Sequence, residues 1–156
     1  MTLSLAVGLG MFVLTLCVQM APVVIFLHIA TSKHPRSLLR PSYPANFILL
    51  QLVAGLFLFG HLVNITLWAL LLCLCGEFAE FEAAYYHSAV NYSTLGYGDI
   101  VMSMRWRLLG PLEATNGITM FGISSALFFA LMSRLIDRRL RAKEMDAVNQ
   151  PLADRT

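Results

Sequence analysis

Three long apolar runs organise the chain, each bounded by polar residues or by glycine and proline. The first, Leu3 to Ala30, holds no Lys, Arg, Asp or Glu. At about 1.5 Å per helical residue it crosses a hydrocarbon core of roughly 30 Å with length to spare. It has neither the basic start nor the short apolar stretch of a cleaved leader, which predicts a retained spanning helix with Pro22 as a kink point. A polar stretch from Thr31 to Pro44 follows, carrying Lys33, Arg36 and Arg40 among Pro35, Pro41 and Pro44. The second run, Ala45 to Cys75, stops at Gly76 and contains Gln51, His61, Asn64 and Thr66 as its polar members. Its length predicts a tilted helix or one that projects beyond the bilayer core. The third run, Gly110 to Leu135, places Pro111 at the expected first helical position and ends among Arg134, Asp137, Arg138, Arg139, Arg141 and Lys143. Glu144 to Thr156 is mixed and polar, and is expected to fray.

Between the second and third runs the pattern changes. Glu80 to Tyr92 has Phe81, Ala84, Tyr85, Ser88 and Ala89 at helical spacing, so a short helix is predicted that is too short and too polar to span. It leads directly into Ser93-Thr94-Leu95-Gly96-Tyr97-Gly98-Asp99, where glycine recurs at alternate positions. A short helix and a glycine-alternating run held between two spanning helices describe a re-entrant loop. Non-helical backbone persists at membrane depth only where protein buries it or where it lines an aqueous path. The chain therefore divides into an N-terminal helix and basic loop (1–44), a two-helix core enclosing the loop (45–136) and a short tail (137–156), with no internal repeat.

Composition agrees with this. Apolar residues make up 58% of the chain and charged residues 13%, against about a quarter charged in an ordinary soluble domain. The net charge of +2 is small and the basic residues sit in two short segments, which argues against a nucleic-acid partner. With three spans, both basic segments fall on one side of the membrane, and the positive-inside rule makes that side cytoplasmic. A multi-pass protein of the plasma (inner) membrane is expected, its N-terminus outside and its C-terminus cytoplasmic. Glu77, Glu80, Glu82 and Asp99 then face outward. Cys17, Cys73 and Cys75 read as small packing residues. The glycosylation sequons at Asn64 and Asn91 read as chance matches. No nucleophile–base pair or metal-ligand cluster emerges, so an enzyme is not expected.

Thr94-Leu95-Gly96-Tyr97-Gly98-Asp99 resembles the signature of the potassium-channel family, usually written TVGYGD. The resemblance extends to the aromatic Tyr85-Tyr86-His87-Ser88 and to Gly117-Ile118-Thr119-Met120-Phe121-Gly122, covering about Ala79 to Leu135. It implies an all-α integral membrane fold: three transmembrane helices, with a re-entrant pore helix and filter loop between the second and third. One filter per chain implies a four-fold homotetramer that conducts K⁺ passively, with K⁺ as permeant ion and no cofactor. Carbonyls of Thr94, Leu95, Gly96 and Tyr97, with the Thr94 hydroxyl, would replace the water of a dehydrated ion. For successive carbonyls to face one way, alternate residues need dihedrals that suit residues lacking a Cβ, hence Gly96 and Gly98. Leu95 and Tyr97 would turn outward and brace the filter against the surrounding helices. The short helix would aim its negative C-terminal dipole at the cavity.

By the same resemblance Gly117 matches a hinge glycine, and Ile118, Phe121, Gly122, Ser125, Phe129 and Ser133 would line the cavity or gate. Two departures stand out. Leu95 replaces the familiar valine, and Val90 stands where some members place a glutamate that pairs with the aspartate after the filter. Asp99 is therefore expected to use Tyr86 or His87. Glu113, one turn into the third helix, has two readings: a hydrogen-bonding support behind the filter, alongside Asn116, or a solvated interfacial residue favoured by the helix dipole. His61 and Asn64 are expected to hydrogen-bond between helices. Trp68 and Trp106 are expected to pack or to anchor at the interface. Arg138-Arg139-Leu140-Arg141 would anchor the cytoplasmic end and meet anionic lipid. The first two helices carry no arginine ladder, so no voltage sensor is expected. A weakly selective cation channel, or a non-conducting subunit that docks a partner protein of unknown identity, are the alternatives.

Overall fold

A computed structural model describes residues 2–31 and 43–149. Over these the chain forms four helices and no strand: α1 (Thr2–Thr31), α2 (Tyr43–Leu74), α3 (Phe81–Tyr92) and α4 (Leu109–Asn149). Thr2–Ala21, Asn46–Leu74 and Leu109–Met145 are each long and apolar enough to cross a membrane. At 12 residues, α3 reaches about 18 Å, well short of a crossing.

The apolar runs foretold the helices, and the differences lie at their ends. α1 continues through Pro22 to Thr31. Lys33, Arg36, Arg40 and, of the tail expected to fray, Gln150 to Thr156 lie outside the described residues. Pro44, expected in the loop, occupies the first turn of α2, where its missing N–H leaves no hydrogen bond unmade. α4 begins two residues before Pro111, because the turn from Ser103 already winds into it: the Arg107 amide donates to the Ser103 carbonyl at 2.9 Å and the Leu109 amide to Trp106 at 2.8 Å. α4 also runs to Asn149, well beyond the apolar run that ends at Leu135. Its polar extension is rich in Arg, Lys, Leu, Ala and Glu, strong helix formers that need no apolar face to stay helical.

α2 ends as Gly76 predicted. Gly76 has φ +75°; its amide donates to Cys73 at 3.0 Å and the Glu77 amide to Leu72 at 3.1 Å. This is the paired cap that a left-handed residue after a helix makes possible.

α3 packs between α2 and α4, while α1 packs against α2 and α4. The shared core is Trp68, Leu72, Tyr92, Leu109 and Met120, joined by Met11 and Trp106. The two tryptophans therefore pack. Leu9 and Val13 on α1, and Leu52, Leu58 and Phe59 on α2, are exposed, as a lipid-facing surface requires.

Polar residues are concentrated inside. Along α1, Ser4, Gly8, Met11, Thr15 and Gln19 form one buried stripe at helical spacing. The Ser4 hydroxyl donates to the Arg105 carbonyl at 2.8 Å. Asn116 Nδ2 on α4 donates to Thr15 Oγ1 at 2.5 Å. Gln19 Nε2 donates to Ser124 Oγ on α4 at 2.9 Å, and Gln19 Oε1 accepts from Asn64 Nδ2 on α2 at 3.2 Å. Such interhelical bonds contribute on average about 0.6 kcal/mol each in membrane bundles. They fix register where apolar contacts with lipid and protein are nearly equivalent.

Gly76→Ala should lower stability by about 1–2 kcal/mol, the cost of a Cβ in the left-handed region. Thermal unfolding of the detergent-purified protein checks this; an unchanged midpoint would show that the α2 cap does not depend on that conformation.

Candidate functional site

The site is assembled from α3 and the chain that follows it. Glu80 precedes α3 in extended conformation (φ −105°, ψ 129°) and makes no side-chain cap. Glu82 places a carboxylate in the first turn, where the helix dipole favours it. Ala84, His87, Ser88, Val90 and Tyr92 face inward.

At the other end α3 stops by the same device as α2, with a different residue. The Thr94 amide donates to Asn91 at 2.8 Å and the Leu95 amide to Val90 at 3.0 Å. The residue in the left-handed position is Thr94, φ 61°. A β-branched residue there is strained, by about 1–3 kcal/mol. Gly96 and Gly98 follow at φ 58° and 73°, and no other non-glycine residue among those described has positive φ. The sign of φ therefore alternates from Thr94 to Gly98. Residues of alternating hand turn successive carbonyls to one side, whereas an ordinary strand sends them to opposite sides. The glycines were readable from the sequence; the left-handed Thr94 was not, because threonine is not expected there. The α3 carbonyl of Val90 also accepts from the Gly96 amide at 3.3 Å, so the start of the segment is folded back onto the helix end.

Leu95 and Tyr97 are 55% and 68% exposed. The expected bracing against surrounding helices is thus not provided within one chain.

Two straps hold the far end of the segment. The Tyr86 hydroxyl donates to Asp99 Oδ2 at 2.7 Å. Glu77, just past the α2 cap, accepts from the Ser103 amide at 2.7 Å and from the Ser103 hydroxyl at 2.5 Å. His87 does not pair with Asp99 directly; its Nε2 meets Asn91 Nδ2 at 2.8 Å within α3. The Tyr86 hydrogen bond holds the Asp99 carboxyl below the usual aspartate value. Burial pushes the His87 imidazole below its usual value.

Tyr92, the last residue of α3, is fully buried. Its hydroxyl lies 3.1 Å from His61 Nδ1 and accepts from Asn64 Nδ2 at 3.3 Å. His61 and Asn64 thus bond between helices as anticipated. Both sequon asparagines are engaged in the protein: Asn64 in this cluster and Asn91 with His87. The Tyr92 carbonyl rests on Gly117 so closely that a Cβ built there would collide with it. Gly117 sits inside an unbroken α4, and close packing alone accounts for its lack of a side chain.

Of the remaining α4 residues, Ile118, Phe121, Gly122, Ser125 and Phe129 share one exposed face, and Ser133 is half-buried. Phe121 is also stacked on His61, with ring centroids 4.2 Å apart. Glu113 is fully buried, which removes the reading as a solvated interfacial residue. Neither of its oxygens has a direct hydrogen bond; Ser88 and Asn91 of α3 are its polar neighbours. Asn116, expected alongside Glu113 behind the filter, donates to Thr15 on α1. Gln19, Thr15, Tyr92 and Glu77 were not singled out from the sequence. The recurrence of Ser4, Thr15 and Gln19 on one face of an otherwise apolar helix is the signal that could have found the α1 members.

A family model described as an ion channel matches residues 47–134, from the start of α2 to the middle of α4. No curated protein and no solved structure matches the chain.

Removing the Tyr86 hydroxyl with Tyr86→Phe should raise the Asp99 pKa toward 3.8, read by carbon-13 carboxyl titration. Folding lowers this pKa, so the contribution of the contact is fully present above the ordinary aspartate value and is lost as pH falls through the lowered one. An unchanged titration would show that the bond does not hold the carboxylate.

Proposed function

This chain belongs to the ion channel family, and we propose that it forms a potassium-selective pore from four copies of itself, with Thr94-Leu95-Gly96-Tyr97-Gly98 as the selectivity filter. The observation that carries this reading is the alternating sign of φ at Thr94, Gly96 and Gly98. It follows a short helix held between two helices long enough to span. A dehydrated K⁺ needs a column of oxygens to replace its water at little net cost, and a one-sided run of carbonyls offers that. The Thr94 hydroxyl extends the column by one ring.

The four-fold assembly is supported by what one chain leaves open. Leu95 and Tyr97 are largely uncovered, as expected if the bracing surface belongs to a neighbouring copy. The exposed stripe of Ile118, Phe121, Gly122, Ser125 and Phe129 on α4 then lines the cavity. Tyr86, Asp99, His87 and Glu113 support the filter from outside and behind. The basic end of α4 is cytoplasmic in this arrangement, with Glu77, Glu80, Glu82 and Asp99 at the outer mouth, in a plasma-membrane protein. K⁺ is the permeant ion, and no cofactor takes part.

Purified protein in liposomes should pass K⁺ faster than Na⁺, and Gly96→Ala should abolish that flux. Gly96 has φ 58°, a conformation that an alanine adopts only with strain. Equal K⁺ and Na⁺ fluxes would leave a weakly selective cation pore. No flux from a verified tetramer that co-purifies with another protein would leave a docking subunit.

A further inference from the structure

We infer that Gln19 of α1 is a positioning residue for ion selection, tying Ser124 on α4 to Tyr92 at the root of the filter by way of Asn64. The inference rests on the pore reading above and extends it to a helix outside residues 47–134, the part matched by the ion channel family.

The Gln19 amide is 1% exposed and engaged at both ends. Its Oε1 accepts from Asn64 and its Nε2 donates to Ser124. The same Asn64 Nδ2 also donates to the Tyr92 hydroxyl, at 3.3 Å. The donor and acceptor senses agree along the path, because turning either amide over would set oxygen against oxygen or nitrogen against nitrogen. The backbone makes room for this contact at Gly60, where a Cβ would come within 2.7 Å of Gln19 Oε1.

Both ends of the path bear on the filter. Tyr92 is separated from Thr94 by Ser93 alone, and its carbonyl sits against Gly117 of α4. Ser124 lies about two turns further along the same helix, beside the exposed stripe. α1 packs on α2 and α4 but not on α3, and Gln19 reaches Tyr92 by hydrogen bonds through Asn64. A shift of α4 that moves Ser124 must be answered by Gln19, and through Asn64 by the Tyr92 ring. Without water at that depth, a broken link is not replaced by solvent.

The test is the reversal potential of the full-length tetramer in bilayers under K⁺ on one side and Na⁺ on the other. Gln19→Leu and Tyr92→Phe should each raise relative Na⁺ permeability by about three- to tenfold, the factor expected when one or two membrane-buried hydrogen bonds are lost. The double variant should show no more than the larger single effect, because both cut one path. Val13→Ala, on the exposed face of α1, should leave the ratio unchanged. Wild-type selectivity in Gln19→Leu, or additive effects in the double variant, overturns the inference. If Gln19→Leu does not assemble, Ser124→Ala cuts the same path at its far end, and an unchanged ratio there overturns it equally. A wild-type tetramer that does not select K⁺ sinks the pore reading first, and the inference falls with it.

Discussion

Tyr92 is held at two points, and most of the interior follows from that. Its carbonyl presses on α4 where Gly117 leaves no side chain, and its hydroxyl is bonded to His61 and Asn64 of α2. The ring between them belongs to the same core as Trp68, Leu72 and Met120. In hydrocarbon, a backbone or side-chain polar group left without a partner costs several kcal/mol, and no water is present to relieve it. The exit of α3 is therefore placed by contacts on both flanks, and everything from Ser93 onward starts from that point. Glu113 and its neighbour Ser88 are exceptions, buried with side-chain oxygens that have no direct hydrogen bond.

The two helix ends that frame this region share one cap geometry and differ in what occupies it. At Gly76 the left-handed residue has no Cβ and the turn is unstrained. At Thr94 the same position carries a β-branched side chain. A glycine would relax the backbone there but would remove the hydroxyl. The strain at Thr94 is held in place by the Tyr92 contacts behind it and by the two straps ahead of it, Tyr86 to Asp99 and Glu77 to Ser103. Local backbone cost of this kind persists only where the surroundings over-determine the conformation.

Much of the architecture was legible in the chain because hydropathy and length are local quantities. Leu3 to Ala30, Ala45 to Cys75 and Gly110 to Leu135 located the long helices, Gly76 located a stop, and Phe81 to Ser88 at helical spacing located α3. What was not legible depends on which residues meet in space. Gln19 is one polar side chain in an apolar run until Asn64 and Ser124 are seen around it. That Gly117 also makes room for the Tyr92 carbonyl is seen only once α3 is placed against α4. Glu113 was ambiguous because its position near a helix start does not reveal whether α3 covers it. The extension of α4 past Leu135 was missed for another reason: a polar helix carries no apolar periodicity to betray it.

That extension changes the mechanics of the molecule. α4 has 41 residues and so measures about 60 Å, roughly twice the hydrocarbon thickness. Its N-terminal half is clamped at Gly117 and tethered at Asn116 and Ser124, and the helix continues unbroken to Asn149. A rod pivoting at the clamp acts as a lever: a tilt of about 10° sweeps its far end by roughly 8 Å over an arm of about 48 Å, while residues near the fulcrum hardly move. Forces applied at the basic end thus reach the bundle as torque about the Tyr92 contact.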